Sequence, residues 1–262
     1  MDTHALDHLR LEVDRDRGLA TIVFDDPPKL NRISMRARRQ IREIFEELGE
    51  DDDIRLIALR GAGERAFTAG GDIGSFLEHS QDELSRLAEN VGAPERCPKP
   101  VVSLVDGYCL GVGLELALAG DIILATRRST FGLPEIRLGM IPGSGGTQRL
   151  LRIVGPIRAK WLLFRGAHIS AEEAYALGLV SKLVETREEL DQALEALLGE
   201  IRALSPLTLR HLKAVLNEGM NLPLEGAIAL EGRTYGLLRT TADFEEGVRA
   251  FLEKRTPRFS GR

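Results

Sequence analysis

Two glutamates, Glu115 and Glu135, are the residues most suited to chemistry. Glu115 lies in the apolar stretch GLELALAG, and Glu135 follows Pro134 in the segment FGLPEIRLGM. Two carboxyl groups beside an apolar pocket can move protons at carbon, because one takes a proton while the other gives one. We therefore expect these residues to act as an acid–base pair.

Each glutamate also has an ordinary explanation. A glutamate in a helix usually reaches solvent or pairs with an arginine, and Glu135 could form a surface ion pair with Arg137. The apolar neighbours of Glu115 favour the catalytic interpretation for that residue. The position of Glu135 after Glu115, inside LPEIRLGMIPG, favours the same interpretation for the second.

Two loops of small residues, Ala69-Gly70-Gly71 and Gly111-Val112-Gly113, each lead into a predicted helix. The N–H groups at the start of a helix have no partner within it. If the loops converge, their main-chain donors could hold the oxyanion that forms when a thioester carbonyl enolises. The alternative is that these glycines only make turns and that Asp72 caps a helix.

Other familiar sites are not supported. Leu116 stands where a dinucleotide-binding fingerprint needs its third glycine, and the GSGGT loop lacks the lysine of a P-loop. Ser144 is not in a nucleophile elbow, because Pro142 stands two residues before it. None of the five histidines lies in a ligand pair, so we expect no metal site.

The elements that must position these residues alternate along the chain. Strands are predicted at 9–15, 19–24, 54–61, 101–107 and 121–126, and helices at 34–49, 81–92 and 111–120. The order of strand, helix and strand around Glu115 predicts a chain that crosses back over a sheet.

Helical patterns dominate the C-terminal third. SAEE (170–173) and TREE (186–189) both match a capping box, with the strand-like LVSKLV between them. Further helices are predicted at 205–219, 223–236 and 241–255. We predict an α/β core over residues 1–200 and a C-terminal helical lobe over 201–262.

The composition is that of an ordinary globular protein, with 262 residues, of which 43% are hydrophobic and 29% charged. The net charge of −5 offers no general attraction to nucleic acid or to an anionic membrane. Two cysteines, Cys97 and Cys109, support no disulfide framework. The N-terminus lacks a secretory signal, and no apolar stretch reaches the roughly 18 residues of a membrane span, so we expect a cytoplasmic location.

Four segments together resemble the crotonase superfamily, in its enoyl-CoA hydratase and isomerase branch. They are AFTAGGDI (66–73), GYCLGVGLELALAGDI (107–122), FGLPEIRLGMIPGSGGTQRL (131–150) and AFLEKRTPRF (250–259). The resemblance covers nearly the whole chain, and the motifs occur in the family's order. It implies a crotonase-like α/β fold, a (ββα)n spiral core with a helical lobe, and an acyl-CoA substrate. Coenzyme A is then part of the substrate, and no prosthetic group is expected.

The resemblance also implies roles at particular positions. Gly71 and Val112 match the two oxyanion donors, although the family usually has glycine where this chain has Val112. Glu115 matches the residue that holds or activates water, and Glu135 the one that exchanges a proton with the substrate α-carbon. Gly143 matches a glycine that borders the water site.

Coenzyme contacts and assembly follow from the same resemblance. The matching positions are Lys29, Ala69, Asp72, Ile73, Phe251 and Lys254. The last two resemble residues that reach the coenzyme from the C-terminal lobe, often of a neighbouring subunit. This implies a homotrimer or hexamer.

Two alternatives remain open. Because one scaffold serves several reactions, an isomerase, hydrolase or lyase of a specialised acyl-CoA is possible, although the glutamate pair favours hydration. Some relatives bind RNA through a basic helix, and residues 32–42 contain five arginines. A solvated helix face balanced by Glu43, Glu46 and Glu47 is the preferred explanation for them, so nucleic acid is not an expected partner.

Overall fold

A computed structural model describes residues 6–262 of the chain. The ten strands found there are β1 (Leu9–Asp14), β2 (Leu19–Phe24), β3 (Leu56–Gly61), β4 (Ala66–Thr68), β5 (Val101–Val105), β6 (Tyr108–Leu110), β7 (Ile122–Thr126), β8 (Thr130–Gly132), β9 (His168–Ser170) and β10 (Lys182–Val184).

Twelve α-helices occur in the same described part. They are α1 (Met35–Glu50), α2 (Gln81–Ser85), α3 (Leu87–Val91), α4 (Ala93–Arg96), α5 (Val112–Ala119), α6 (Gly146–Val154), α7 (Pro156–Leu163), α8 (Ala171–Ala176), α9 (Arg187–Arg202), α10 (Pro206–Gly219), α11 (Leu224–Leu238) and α12 (Ala242–Glu253). Short 3₁₀ helices cover Pro27–Lys29, Ile73–Glu78 and Glu135–Leu138.

The chain divides into two compact units. Among the described residues, one contains 6–97 and Val101–Leu194, and the other contains Pro98–Pro100 and Glu195–Arg262. The boundary falls inside α9. The division at residue 200 and the assembly role of the C-terminal lobe remain predictions from the sequence.

A six-stranded sheet forms the frame of the first unit. Its order is β1-β2-β3-β5-β7-β10, and every neighbouring pair except β1 and β2 is parallel. All six residues of β2 and all five of β5 are buried, as expected for parallel strands covered on both faces. Their continuous apolar sequences, LATIVF and VVSLV, therefore specify central positions in the sheet.

A second, four-stranded sheet of the first unit brings three loops together. Its order is β4-β6-β8-β9, with β4, β6 and β8 mutually parallel. The carboxyl ends of parallel strands meet at the same edge of a sheet. The residues that follow these strands, 69–71, 111–113 and 133–135, therefore approach one another.

Helix α1 presents one apolar face to the core of the first unit. Ser34 caps it, since its Oγ accepts a hydrogen bond from the Ala37 N–H at 3.0 Å. Ile41, Ile44 and Phe45 are each no more than 2% exposed. Arg38 lies on this buried side of the helix as well, at 3% exposure.

In the second unit, Asp243 binds the C-terminal residues to the start of α12. Its Oδ1 accepts from the Ser260 N–H at 2.6 Å and its Oδ2 from the Gly261 N–H at 3.0 Å. The Ser205 hydroxyl, which also caps α10, donates to Oδ2 at 2.5 Å. One buried carboxylate thus connects two helix starts with the chain end.

Most predicted elements are found, with two exceptions. The single helix expected over 81–92 is wrong, because Arg86 leaves the helical conformation and separates α2 from α3. The TREE segment forms only half a capping box: Thr186 Oγ accepts from the Glu189 N–H, but the Glu189 carboxylate accepts from the Glu185 N–H. At Ser170 the complete capping box is present.

Between residues 6 and 262, the structure contains no helix with the length and apolar character needed to cross a bilayer.

Candidate active site

A pocket of about 360 Å³ opens where the three loops of the four-stranded sheet meet. It is lined by seven of the residues predicted from the sequence, namely Ala69, Gly71, Ile73, Val112, Glu115, Glu135 and Gly143. All five predicted catalytic positions are therefore brought to one cavity of the first unit.

The loop after β4 is held by main-chain hydrogen bonds to the segment before α1. Ile33 N–H donates to Gly70 O at 2.9 Å, and Asp72 N–H donates to Ile33 O at 3.2 Å. Ala69 N–H donates to Leu30 O at 2.9 Å. These contacts fix the path of Ala69-Gly70-Gly71 along the rim of the pocket.

Asn31 stabilises this arrangement through side-chain hydrogen bonds. It is 1% exposed and has a φ of +56°, a region that asparagine tolerates better than most residues. Its Nδ2 donates to Ala62 O and Ala66 O, both at 2.8 Å, and its Oδ1 accepts from the Asp26 N–H at 3.1 Å. One side chain thereby connects the segment before α1 with both ends of the turn from β3 to β4.

Close packing at the start of α5 brings the second loop against the first. A Cβ added at Gly113 would lie 2.6 Å from Cγ2 of Thr68, so only glycine fits there. A Cβ added at Gly111 would lie 3.7 Å from the Cα of Gly70. Gly111 also has a φ of +55°, which turns the chain from β6 into α5.

Both proposed oxyanion donors have available N–H groups. Within residues 6–262, neither the Gly71 N–H nor the Val112 N–H donates a hydrogen bond. Val112 has a negative φ as the first residue of α5, and its side chain joins the apolar core. The valine therefore leaves the main-chain donor intact.

Glu115 is fixed by main-chain amides at the start of α6. It is 2% exposed, and its Oε1 accepts from the Ser144 N–H at 2.7 Å and the Gly146 N–H at 2.9 Å. The N-terminus of a helix favours a negative group, so this position suits a carboxylate. The explanation that Glu115 reaches solvent is excluded by its burial.

Glu135 lies in the 3₁₀ helix after β8 and faces the same pocket. Burial, together with the charge of Glu115, raises its pKa to about 7, while a main-chain hydrogen bond at Glu135 and the charge of Arg38 oppose the shift. Its Oε2 is buried and has no hydrogen-bond partner among the described residues. A carboxyl group in this environment can hold or release a proton near neutral pH.

Arg38 is a third ionisable group in the pocket, although the sequence pattern predicted a place on a solvated basic face. That placement is wrong, because the side chain is buried and lines the pocket beside Glu115 and Glu135. Burial lowers its pKa to about 10, while the two glutamates oppose the shift. Its guanidinium carbon lies 5.4 Å from the ring centre of Phe76.

The other arginines of the basic segment do not form one shared surface with Arg38. Arg32 lies before α1, and its guanidinium donates to Asp72 at 3.1 Å. Arg42 pairs with Glu46 at 3.5 Å. The segment 32–42 is therefore divided between the pocket, local ion pairs and solvent.

Four predicted coenzyme contacts are not among the residues that line the pocket. Lys29 is exposed, and Asp72 precedes the 3₁₀ helix but makes no side-chain cap, since Arg32 binds it instead. Phe251, at 83% exposure, and the exposed Lys254 belong to the second unit.

Two residues that shape the site, Arg38 and Asn31, were not predicted as site residues from the sequence. Arg38 stands three residues after Met35 and three before Ile41, on the apolar stripe of α1. That spacing could have indicated that its side chain points inward. For Asn31, the motif DPPKLN gives no comparable signal, because its partners are carbonyl groups distant in sequence.

Comparison with known proteins agrees with the geometry. The family model described as enoyl-CoA hydratase/isomerase matches residues 14–262. The chain is 36% identical over 252 residues to a crotonyl-CoA hydratase of Syntrophomonas wolfei, covering 94% of this chain and 96% of that protein. It is 35% identical over 257 residues to a 2,3-dehydroadipyl-CoA hydratase of Escherichia coli, covering 96% and 99%.

Solved structures show the same architecture. Enoyl-CoA hydratase subunit I of Geobacillus kaustophilus superposes with a TM-score of 0.92 at 34% identity, covering 98% of this chain and 99% of that one. The predicted crotonase-like α/β fold is confirmed by this likeness.

Proposed function

The chain belongs to the enoyl-CoA hydratase/isomerase family, and we propose that it adds water across the α,β double bond of an enoyl-CoA. The observation that carries the proposal is the placement of Glu115 and Glu135 in one pocket with two available main-chain donors. A hydro-lyase agrees with relatives named crotonyl-CoA hydratase and 2,3-dehydroadipyl-CoA hydratase. These names differ in the acyl group, so the proposal commits to the reaction and to the thioester class.

In this mechanism the thioester oxygen binds between the N–H groups of Gly71 and Val112. Negative charge develops on that oxygen when the β-carbon is attacked. Donors already fixed in the loops stabilise this charge without reorganising, which is the largest single contribution in many enzymes that form oxyanions. Both donors belong to the main chain, so valine at position 112 is compatible with the role.

The two glutamates share the proton transfers. Glu115, oriented by the amides of Ser144 and Gly146, takes a proton from water as the water oxygen bonds to the β-carbon. Glu135, whose pKa is raised to about 7, gives its proton to the α-carbon. Gly143 lines the pocket near this pair and leaves space beside the proposed water.

The proposed coenzyme contacts rest on two kinds of support, namely position in the pocket lining and family resemblance alone. Ala69 and Ile73 line the pocket and are suited to contact the pantetheine arm. Lys29, Asp72, Phe251 and Lys254 are proposed to contact coenzyme A only on the grounds of the family resemblance. The last two contacts would come from a neighbouring copy in a homotrimer or hexamer, which light scattering of the purified protein would test.

A product assay tests the proposed reaction. Purified protein is incubated with crotonyl-CoA and with longer 2-enoyl thioesters, and products are separated and identified by mass spectrometry. Hydration adds the mass of water and removes the absorbance of the conjugated thioester. Double-bond migration without a mass change would identify an isomerase, and release of free coenzyme A would identify a hydrolase.

A further inference from the structure

Arg38 provides a positive charge in the pocket that the proposed hydration chemistry does not use. The residue is 3% exposed and lines the pocket, whose other side chains include Ile73, Leu84 and Ile141. A buried cation is costly unless it is paired and hydrogen-bonded. Its position in a largely apolar lining therefore indicates that it binds an anionic or polar group.

The guanidinium lies beside the proposed oxyanion site. A Cβ added at Gly71 would lie 2.5 Å from an Nη atom of Arg38. Phe76 supports the guanidinium from another side. The cation is therefore next to the place where the acyl chain would extend from the thioester carbonyl.

The hydrogen-bonding capacity of Arg38 is only partly used. An arginine has five N–H donors. One Nη donates to Ser144 Oγ at 3.5 Å, the outer limit for a hydrogen bond, and Nε has no partner among the described residues although it is buried. The pocket is thus short of hydrogen-bond acceptors at this position.

The two glutamates do not supply these acceptors in full. The Oε1 atom of Glu115 already accepts two main-chain hydrogen bonds. Glu135 must carry a proton for the proposed step, and its neutral form attracts the guanidinium less. A ligand carboxylate offers two oxygens that match the planar fork of an arginine.

We propose that Arg38 determines substrate specificity by binding a carboxylate on the acyl group, so that the preferred substrate class is enoyl-CoA thioesters with an acidic acyl chain. This inference rests on the proposed hydration. The apolar side chains around Arg38 hold the carbon chain, and the guanidinium binds its acidic group.

The test compares pairs of 2-enoyl-CoA thioesters, with acyl chains of four to six carbons, that end either in a carboxylate or in its methyl ester. kcat/KM for hydration is measured for the wild type, Arg38→Met, Arg38→Lys and the control Arg39→Met, which alters an exposed position of the same helix. The wild type is expected to prefer the carboxylate of at least one chain length by about 10-fold or more, because hydrogen bonds between charged groups are stronger than those to a neutral ester.

Arg38→Met is expected to remove this preference while retaining hydration of the ester. Arg38→Lys keeps the charge but loses the planar guanidinium that can bind both carboxylate oxygens, so it should retain part of the preference. It also tests the inference if the methionine variant does not fold. Arg39→Met should match the wild type. A wild type without a carboxylate preference, or equal losses on both substrates in the Arg38 variants, would overturn the inference. Failure to hydrate any thioester would instead overturn the proposed function.

Discussion

The carboxylate of Glu115 occupies the space that a side chain on Gly146 would need. A Cβ added at residue 146 would lie 2.8 Å from Glu115 Cγ and 3.0 Å from Glu115 Oε1. This close approach allows the Gly146 N–H to reach Oε1 at 2.9 Å. The absence of a side chain at the start of α6 thus determines where the proposed base can lie.

Gly146→Ala is therefore expected to displace the Glu115 carboxylate and to lower kcat by about 10-fold or more, since misplacement by about 1 Å can cost 100-fold. Alanine is a better helix former than glycine, so the loss should not come from weaker helix formation. Steady-state hydration kinetics and thermal unfolding measure both effects.

Gly199→Ala is the matched control, because a Cβ at that position of α9 would meet nothing within 4 Å. It should keep wild-type kcat and equal or higher thermal stability. Equal activity of the two alanine variants would contradict the assigned role of Gly146.

Replacing either glutamate by glutamine removes its acid–base function and changes its size little. We expect Glu115→Gln and Glu135→Gln each to lower kcat by about 100-fold or more, because a positioned acid or base contributes about 100- to 10,000-fold. Rates on crotonyl-CoA, together with circular dichroism to verify folding, provide the measurement. Near-normal turnover in both variants would refute the mechanism.

The pH dependence of hydration should report the raised pKa of Glu135. Below its pKa of about 7 the carboxyl group holds the proton that hydration delivers, and above it the proton is lost. We therefore expect kcat/KM to fall as the pH rises through about 7.

In Glu135→Gln this alkaline decline should disappear from the remaining activity. A decline that persists unchanged in the variant would assign the titration to another group.

Asn31 is expected to contribute strongly to stability. Asn31→Ala leaves main-chain groups of Ala62, Ala66 and Asp26 without their present partner and places a Cβ residue without a compensating side chain at positive φ. The expected cost is about 2–4 kcal/mol in the free energy of unfolding. Denaturant titration measures it.

Asn31→Gly separates the two causes. Glycine accepts positive φ without penalty, so only the lost hydrogen bonds remain. The glycine variant should therefore be destabilised less than the alanine variant, and a larger loss for glycine would contradict this account.

Elements whose own sequence pattern specifies their structure could be predicted from the sequence. The apolar runs of β2 and β5, the cap at Ser34 and the Leu/Ala-rich sequence of α5 each specify their own structure. The short strands β4 and β6 have only three residues each and depend on pairing with distant segments. Their existence could not be derived from periodicity alone.

In the candidate site, too, some features follow from local sequence and others depend on contacts between distant residues. Apolar surroundings and family motifs predicted that Glu115 and Glu135 share one pocket, and both line it, while their catalytic roles are proposals. Arg38 was misplaced because charge was given more weight than its position on the stripe between Met35 and Ile41. The hydrogen bonds to Glu115 come from Ser144 and Gly146, and only the folded chain brings these groups together.

The two proposed oxyanion donors differ in how much sequence change they tolerate. Val112 carries a side chain that the core accommodates, whereas a Cβ at Gly71 would lie 2.5 Å from an Nη atom of Arg38, so the guanidinium would have to shift. Positions 38 and 71 are therefore mutually constrained. Alanine at 71 would require the Arg38 guanidinium to move, whereas a shorter residue at 38 would leave that space open, so the effect of a substitution at one position depends on which residue occupies the other.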